Sequence, residues 1–252
     1  MKRLSTLRSA TLLIGVATLI APTAGAVSGT DSTTTPTTTA NKAVAQTAEQ
    51  QQRLQVIQSK GAQEIDRRIV SLNTLSAKIN DASKLTSSDK AALVSEVSTE
   101  ISGLTALKVK LAAETTIDGA KVDAQSIIND YRVYALITPK INLIKTADDQ
   151  QVFEAKIVST IAALQTNVTN AKNAGKDVTA LQAQLDVATA KEQAAQTISS
   201  TIQAKVIGLQ PTDYNSDHTI LSGDRAQLTA AHLDLVTAVT SVKAVRDGLK
   251  SL

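Results

Sequence analysis

The 252-residue chain, 42 % hydrophobic, is long and apolar enough to fold as one or two domains, which excludes a wholly disordered protein. Aromatic residues make up only 2 % and cysteine is absent, so a thick aromatic core, disulfides, thiolate metal sites and lipid attachment through a cysteine are all excluded. The formal charge of +3 resides in Lys2, Arg3 and Arg8; without the first 26 residues the chain holds 23 bases against 23 acids, which removes the case for a basic nucleic-acid surface.

Those three bases open the chain, an apolar stretch runs from Ala10 to Ala21, and Ala24-Gly25-Ala26 is an Ala-x-Ala cleavage signal. In that order they predict a secretory signal peptide over residues 1–26 of a bacterial-type exported protein. The apolar run falls short of the roughly 20 residues needed to span a bilayer, and no other stretch reads as long enough, so no membrane span is expected after cleavage. Residues 27–40 are rich in Thr and Ser around Pro36, too polar to bury and too β-branched to favour helix. They read as a disordered linker.

From residue 41 the apolar positions keep a helical period. Leu54, Ile57, Ile65, Ile69, Leu72, Leu75, Ile79 and Ala82 advance by threes and fours or by doubled intervals, the spacing of a coiled-coil seam. This predicts a first helix over about 42–83. Thr86-Ser87-Ser88-Asp89 supplies a hydroxyl N-cap with an acid three residues on for a second helix over 87–116, which carries Leu93, Val97, Ile101, Leu104, Leu107 and Leu111 and ends at the Ile117-Asp118-Gly119 turn signal. A third helix, 120–138, carries Val122, Ile127, Ile128, Tyr131, Val133 and Leu136 and is expected to break near Thr138, ahead of Pro139. Thr146-Ala147-Asp148-Asp149 is read as the cap of a fourth over 147–174. A fifth spans 178–208 after Asp177, and a last spans 217–250 with Asn215 or Ser216 as its N-cap. No segment alternates with period two, so the expected fold class is all-α, an elongated antiparallel bundle of five or six long, coiled-coil-like helices.

Chemistry is sparse. With two histidines and no cysteine, His218 and His232 sit in no ligand-like spacing; His232 lies beside the core stripe of the last helix. The polar segment Asp213 to His218 with Asp224 lacks the EF-hand spacing and its terminal Glu. Asp148 and Asp149 form a carboxylate pair, but a helix start accounts for them through the macrodipole. Single, scattered glycines make no phosphate-cradling loop. No catalytic, cofactor-binding or metal-ligating residue is assigned, no cofactor is implied, and no enzyme activity is expected.

The one unusual stretch is Tyr131, Arg132, Tyr134, Pro139 and Phe153, which holds three of the four aromatic rings. Packing around a broken helix explains it; Tyr and Arg also dominate interface hot spots, so these five residues are the candidate interaction patch. The segments Tyr131 to Lys140 (YRVY-x4-PK) and Ala174 to Gln182 (AGKDVTALQ) resemble uncharacterised exported all-helical proteins of actinobacterial-type and candidate-phylum bacteria. The resemblance implies export and a helical fold and brings no site. The expected protein is secreted or cell-surface associated, structural or adhesive, binding partner proteins or cell-wall polymer along helix faces. The alternative is a small-ligand or ion-binding module centred near Tyr131, Tyr134 and Phe153.

Overall fold

A computed structural model describes residues 37–252, with side chains from Thr47 onward. The chain divides into two compact units, Met1–Ala43 and Val44–Leu252; the description below concerns the second. The expected signal peptide and most of the expected linker lie outside the described residues. Thr37 to Ala40, the linker's end, already stand in helix.

The described chain is all-α, with no strand among the described residues: α1 (Thr37–Asp81), α2 (Ser87–Ala113), α3 (Ile117–Asn129), a π-helical turn (Val133–Ile137), α4 (Thr138–Asn173), α5 (Thr179–Ile207), the short α6 (Pro211–Ser216) and α7 (Asp224–Leu249). α1 and α2 run antiparallel. Gln58 donates to the Leu111 carbonyl at one end, Lys108 reaches Asp66 in the middle, and Lys90 donates to the Asn80 carbonyl at the other. Between them Ile65, Leu72, Ile79, Leu93, Leu104 and Leu111 are fully buried. The Thr86 hydroxyl accepts from the Asp89 N–H at 3.0 Å, so the expected cap of α2 forms.

α3 differs from its expected stripe. It buries Ala120, Asp123 and Ile127 and leaves Val122 and Ile128 exposed, because its inner face is set by the Asp123 carboxylate reaching Lys110 at 2.6 Å. It also starts earlier and ends sooner than expected, with Thr116 as its cap and Asp130 closing it. The break falls at Arg132, whose φ of 41° is left-handed, rather than at Thr138. The π turn that follows widens the helix, and Pro139 is accommodated in the opening turn of α4, where proline is tolerated.

α4 then continues unbroken for 36 residues, so Asp148 and Asp149 stand inside it and cap nothing. The expected helix start at 147 is corrected: Asp148 is spent on another helix, α2, whose Thr86 N–H it accepts at 3.0 Å. The later half of α4 packs with α5 and α7. Gln165 pairs with Gln182 across antiparallel α4 and α5, and Lys191 with Asp234 across antiparallel α5 and α7. The buried positions of α5, namely Leu185, Ala188, Glu192, Ala195, Ser199, Ile202 and Val206, advance by alternating threes and fours. Ala188, Ala195, Ala231 and Ala238 make this seam narrow.

The last helix also starts later than expected. Asn215 and Ser216 belong to α6, whose N-terminus is held by reciprocal bonds between Gln210 and Asp213, and α7 opens at Asp224 after Gly223 turns the chain at φ 81°. By length and composition α7 could cross a membrane, an 18-residue window reaching a mean hydropathy of 1.2. Here its Leu228, Ala231, Leu235, Ala238 and Val245 are buried in helix contacts.

Candidate functional site

α2 presents Asp89, Glu96 and Glu100 and α4 presents Lys140 and Asp148, so their shared seam carries five ionisable groups. Lys140 is completely buried. Its ammonium donates to Glu96 Oε1 at 2.8 Å and to the Leu209 carbonyl at 2.9 Å, which ties α2, α4 and the end of α5 together. Glu100, one turn beyond Glu96, has a buried Oε2 with no hydrogen-bond partner. Desolvation, and secondly repulsion from Glu96, push its pKa up to about 7, against the pull of Lys140. Ser95, Thr99 and Gln210 join these groups around a shallow depression of about 310 Å³.

Two turns along α4, Asp148 is 1 % exposed. Thr86 N–H donates to its Oδ2, and Gln203 Nε2 donates to its Oδ1 at 2.7 Å and also to Asp89. Gln151 fixes the Gln203 amide by donating to its Oε1 at 2.8 Å. Burial raises the Asp148 pKa to about 6, opposed by the Thr86 bond and reinforced by the neighbouring Asp89 and Asp149 carboxylates. Each oxygen of Asp148 is occupied by a helix partner. That arrangement clamps three helices around the carboxylate.

A groove of about 840 Å³ lies between α4 and α7. Pro139, Leu143, Phe153, Leu221, Leu228 and Leu235 supply apolar wall, and Lys84, Asp149, Arg225 and His232 supply charge or titratable groups. Gln150 donates to the Leu228 carbonyl at 2.8 Å and holds the two helices in register. His232, expected beside the core stripe, is exposed and lines this groove. Phe153 is 40 % exposed, and with the other wall residues it gives the groove an accessible apolar lining.

The five residues of the expected patch do not form one surface. Pro139 and Phe153 line the groove. Tyr131 packs on the other side of the chain's break, so close to α2 that a Cβ on Gly103 would stand 2.8 Å from its hydroxyl. Tyr134 bonds Ser71 at 3.1 Å and lies under the Arg68 guanidinium, 5.2 Å from ring to cation. Arg132 stacks 5.5 Å over Tyr214 and donates to Asn215 and Asn129, joining the break to α6. Their clustering in sequence reflects the break, where each ring caps a different contact.

His218 stands edge-on to Tyr214 at 5.1 Å, and the neighbouring Asp217 carboxylate accepts from Thr219, which holds its pKa below the usual range. Among the described residues no three acidic or histidine side chains converge as a metal cage. The groups that the sequence reading missed are Lys140 as a buried ion, Glu100, Gln203, and the buried pair Glu154 and Glu192. A signal existed for the last two: each occupies a position where the three-four spacing calls for an apolar residue. No family model, no curated protein and no solved structure matches the chain.

Proposed function

We propose that the chain is an exported, non-catalytic helical bundle with a structural or adhesive role, which binds a partner protein along its helix faces and uses the α4–α7 groove as the main contact. The observation that carries this reading is the groove itself, walled by Pro139, Leu143, Phe153 and Leu228 and flanked by Lys84, Asp149 and Arg225. Apolar centres with charged margins are the anatomy of protein contact surfaces, and an amphipathic segment of a partner laid between two helices would bury them. The charged groups of the α2–α4 seam support the non-catalytic part. Asp148 and Lys140 are engaged by other helices, which fits a role in holding the bundle together.

The test compares the wild-type chain with Phe153→Asp, an exposed position whose change leaves the buried seams intact. Immobilised on beads and exposed to envelope fractions, the wild type should retain a partner that the variant loses by tenfold or more. Equal retention by both would remove the groove from the function.

The groove volume of about 840 Å³ favours one second reading, a small apolar ligand held between helices, since such sites span roughly 300–1,000 Å³. In that case Phe153 and Pro139 belong to the site, whereas Tyr131 and Tyr134 do not line it. A fluorescent fatty acid that binds the isolated protein saturably, and not Phe153→Asp, would favour the ligand over the protein partner.

A further inference from the structure

Two carboxylates interrupt the apolar seam of α4 and α5: Glu154 is 2 % exposed and Glu192 is 4 % exposed. Ser199 donates to Glu154 Oε1 at 2.7 Å. Glu154 Oε2 and Glu192 Oε1 are buried and have no hydrogen-bond partner. Both residues face one open groove of about 650 Å³, where Gln151 and Gln196 also stand and which no lysine or arginine lines. Gln151 engages its amide nitrogen on Gln203, which leaves its carbonyl oxygen for other uses.

A buried carboxylate is costly unless it is paired, hydrogen-bonded or bound to a metal. Desolvation raises the pKa of both acids, and repulsion from Glu192 adds to the rise at Glu154. A positive charge placed in the groove would relieve the desolvation and the repulsion together. The available donors are all oxygens, carboxylate and amide, the set suited to hard cations rather than to zinc or copper. Calcium accepts irregular six- to eight-fold oxygen coordination and takes bidentate carboxylates, whereas magnesium demands a near-ideal octahedron that an inter-helix groove does not offer.

We propose that Glu154 and Glu192 form a calcium-binding site, completed by the side-chain oxygens of Gln151 and Gln196 and by water, that cross-links α4 to α5. With only two formal negative charges the affinity belongs to the weak class, a Kd of about 10⁻⁴–10⁻³ M. The site is separate from the α4–α7 groove and stands or falls independently of the binding role assigned there.

The experiment uses the whole chain, freed of metal with a chelator, and follows calorimetric calcium titration and thermal unfolding at neutral pH. Wild type should bind one calcium saturably in the millimolar range, with Tm rising by several degrees at saturation. Glu192→Gln and the double variant Glu154→Gln with Glu192→Gln should fold, since each removes buried charge, and should lose both the binding and the calcium-dependent rise. An absence of saturable binding by wild type would overturn the site, as would unchanged binding by the double variant. Equal stabilisation by magnesium would overturn calcium as the occupant.

Discussion

The Gln203 side-chain nitrogen on α5 lies 2.7 Å from Asp148 Oδ1 on α4 and reaches Asp89 on α2 as well, so one amide bridges two carboxylates from two further helices. Burial and the two neighbouring carboxylates make this junction sensitive to pH, and Glu100, buried beside Glu96, is a second such group.

For Asp148 the pKa stands at about 6 in the folded protein against an ordinary 3.8, and for Glu100 at about 7 against 4.5. A raised carboxylate pKa means that the native state holds its proton more tightly. These groups therefore add stability as pH falls through about 7 and 6, and the gain is lost as pH rises back through them. Thermal unfolding should give a Tm several degrees higher near pH 5 than near pH 8. Asp148→Asn should flatten that difference; a Tm that falls from pH 8 to pH 5 would contradict the assignment.

Lys140 is the most completely buried ion of the fold, held by Glu96 and the Leu209 carbonyl. Removing the ammonium leaves Glu96 and Leu209 unpaired, so Lys140→Ala should cost about 3–5 kcal/mol in urea unfolding. Lys140→Met combined with Glu96→Gln should recover much of that loss, because it deletes the charge pair while keeping the volume. Equal destabilisation by both variants would mean that packing, not charge, sets the cost.

Thr86 both caps α2 through its hydroxyl and donates its N–H to Asp148. Thr86→Ala removes the first and keeps the second, and should cost about 1 kcal/mol, whereas Asp148→Ala, which leaves the Thr86 N–H without an acceptor and the Gln203 amide with Asp89 alone, should cost more. Denaturant midpoints of the two variants decide the order.

Gly208 and Gly223 both have open space where a Cβ would stand, but only Gly223 has positive φ, at 81°. Alanine at Gly208 should stabilise by about 0.4–1 kcal/mol through the unfolded chain. At Gly223 it should destabilise by about 1–2 kcal/mol from the left-handed backbone. The same sign at both positions would show that neither backbone conformation governs the outcome.

The all-α class, the Thr86 cap and most of the α1, α2, α5 and α7 stripes were legible in the order of residues alone. The reason is local: apolar spacing and capping act within one or two turns, and Leu72, Leu104, Leu185 and Leu235 are all buried where their spacing placed them. The fate of the polar residues was settled by contacts between helices. Asp148 reads as a cap by its neighbours, yet α4 passes through it, because the acceptor demand comes from Thr86, 62 residues away. Tyr131, Arg132, Tyr134, Pro139 and Phe153 read as one patch, yet at the left-handed residue and π turn Tyr131 meets α2, Arg132 meets α6 and Tyr134 meets α1, while Pro139 and Phe153 line the groove. Pairing across helices joins residues tens to hundreds of positions apart, and a short-range spacing rule carries no information about which ones meet.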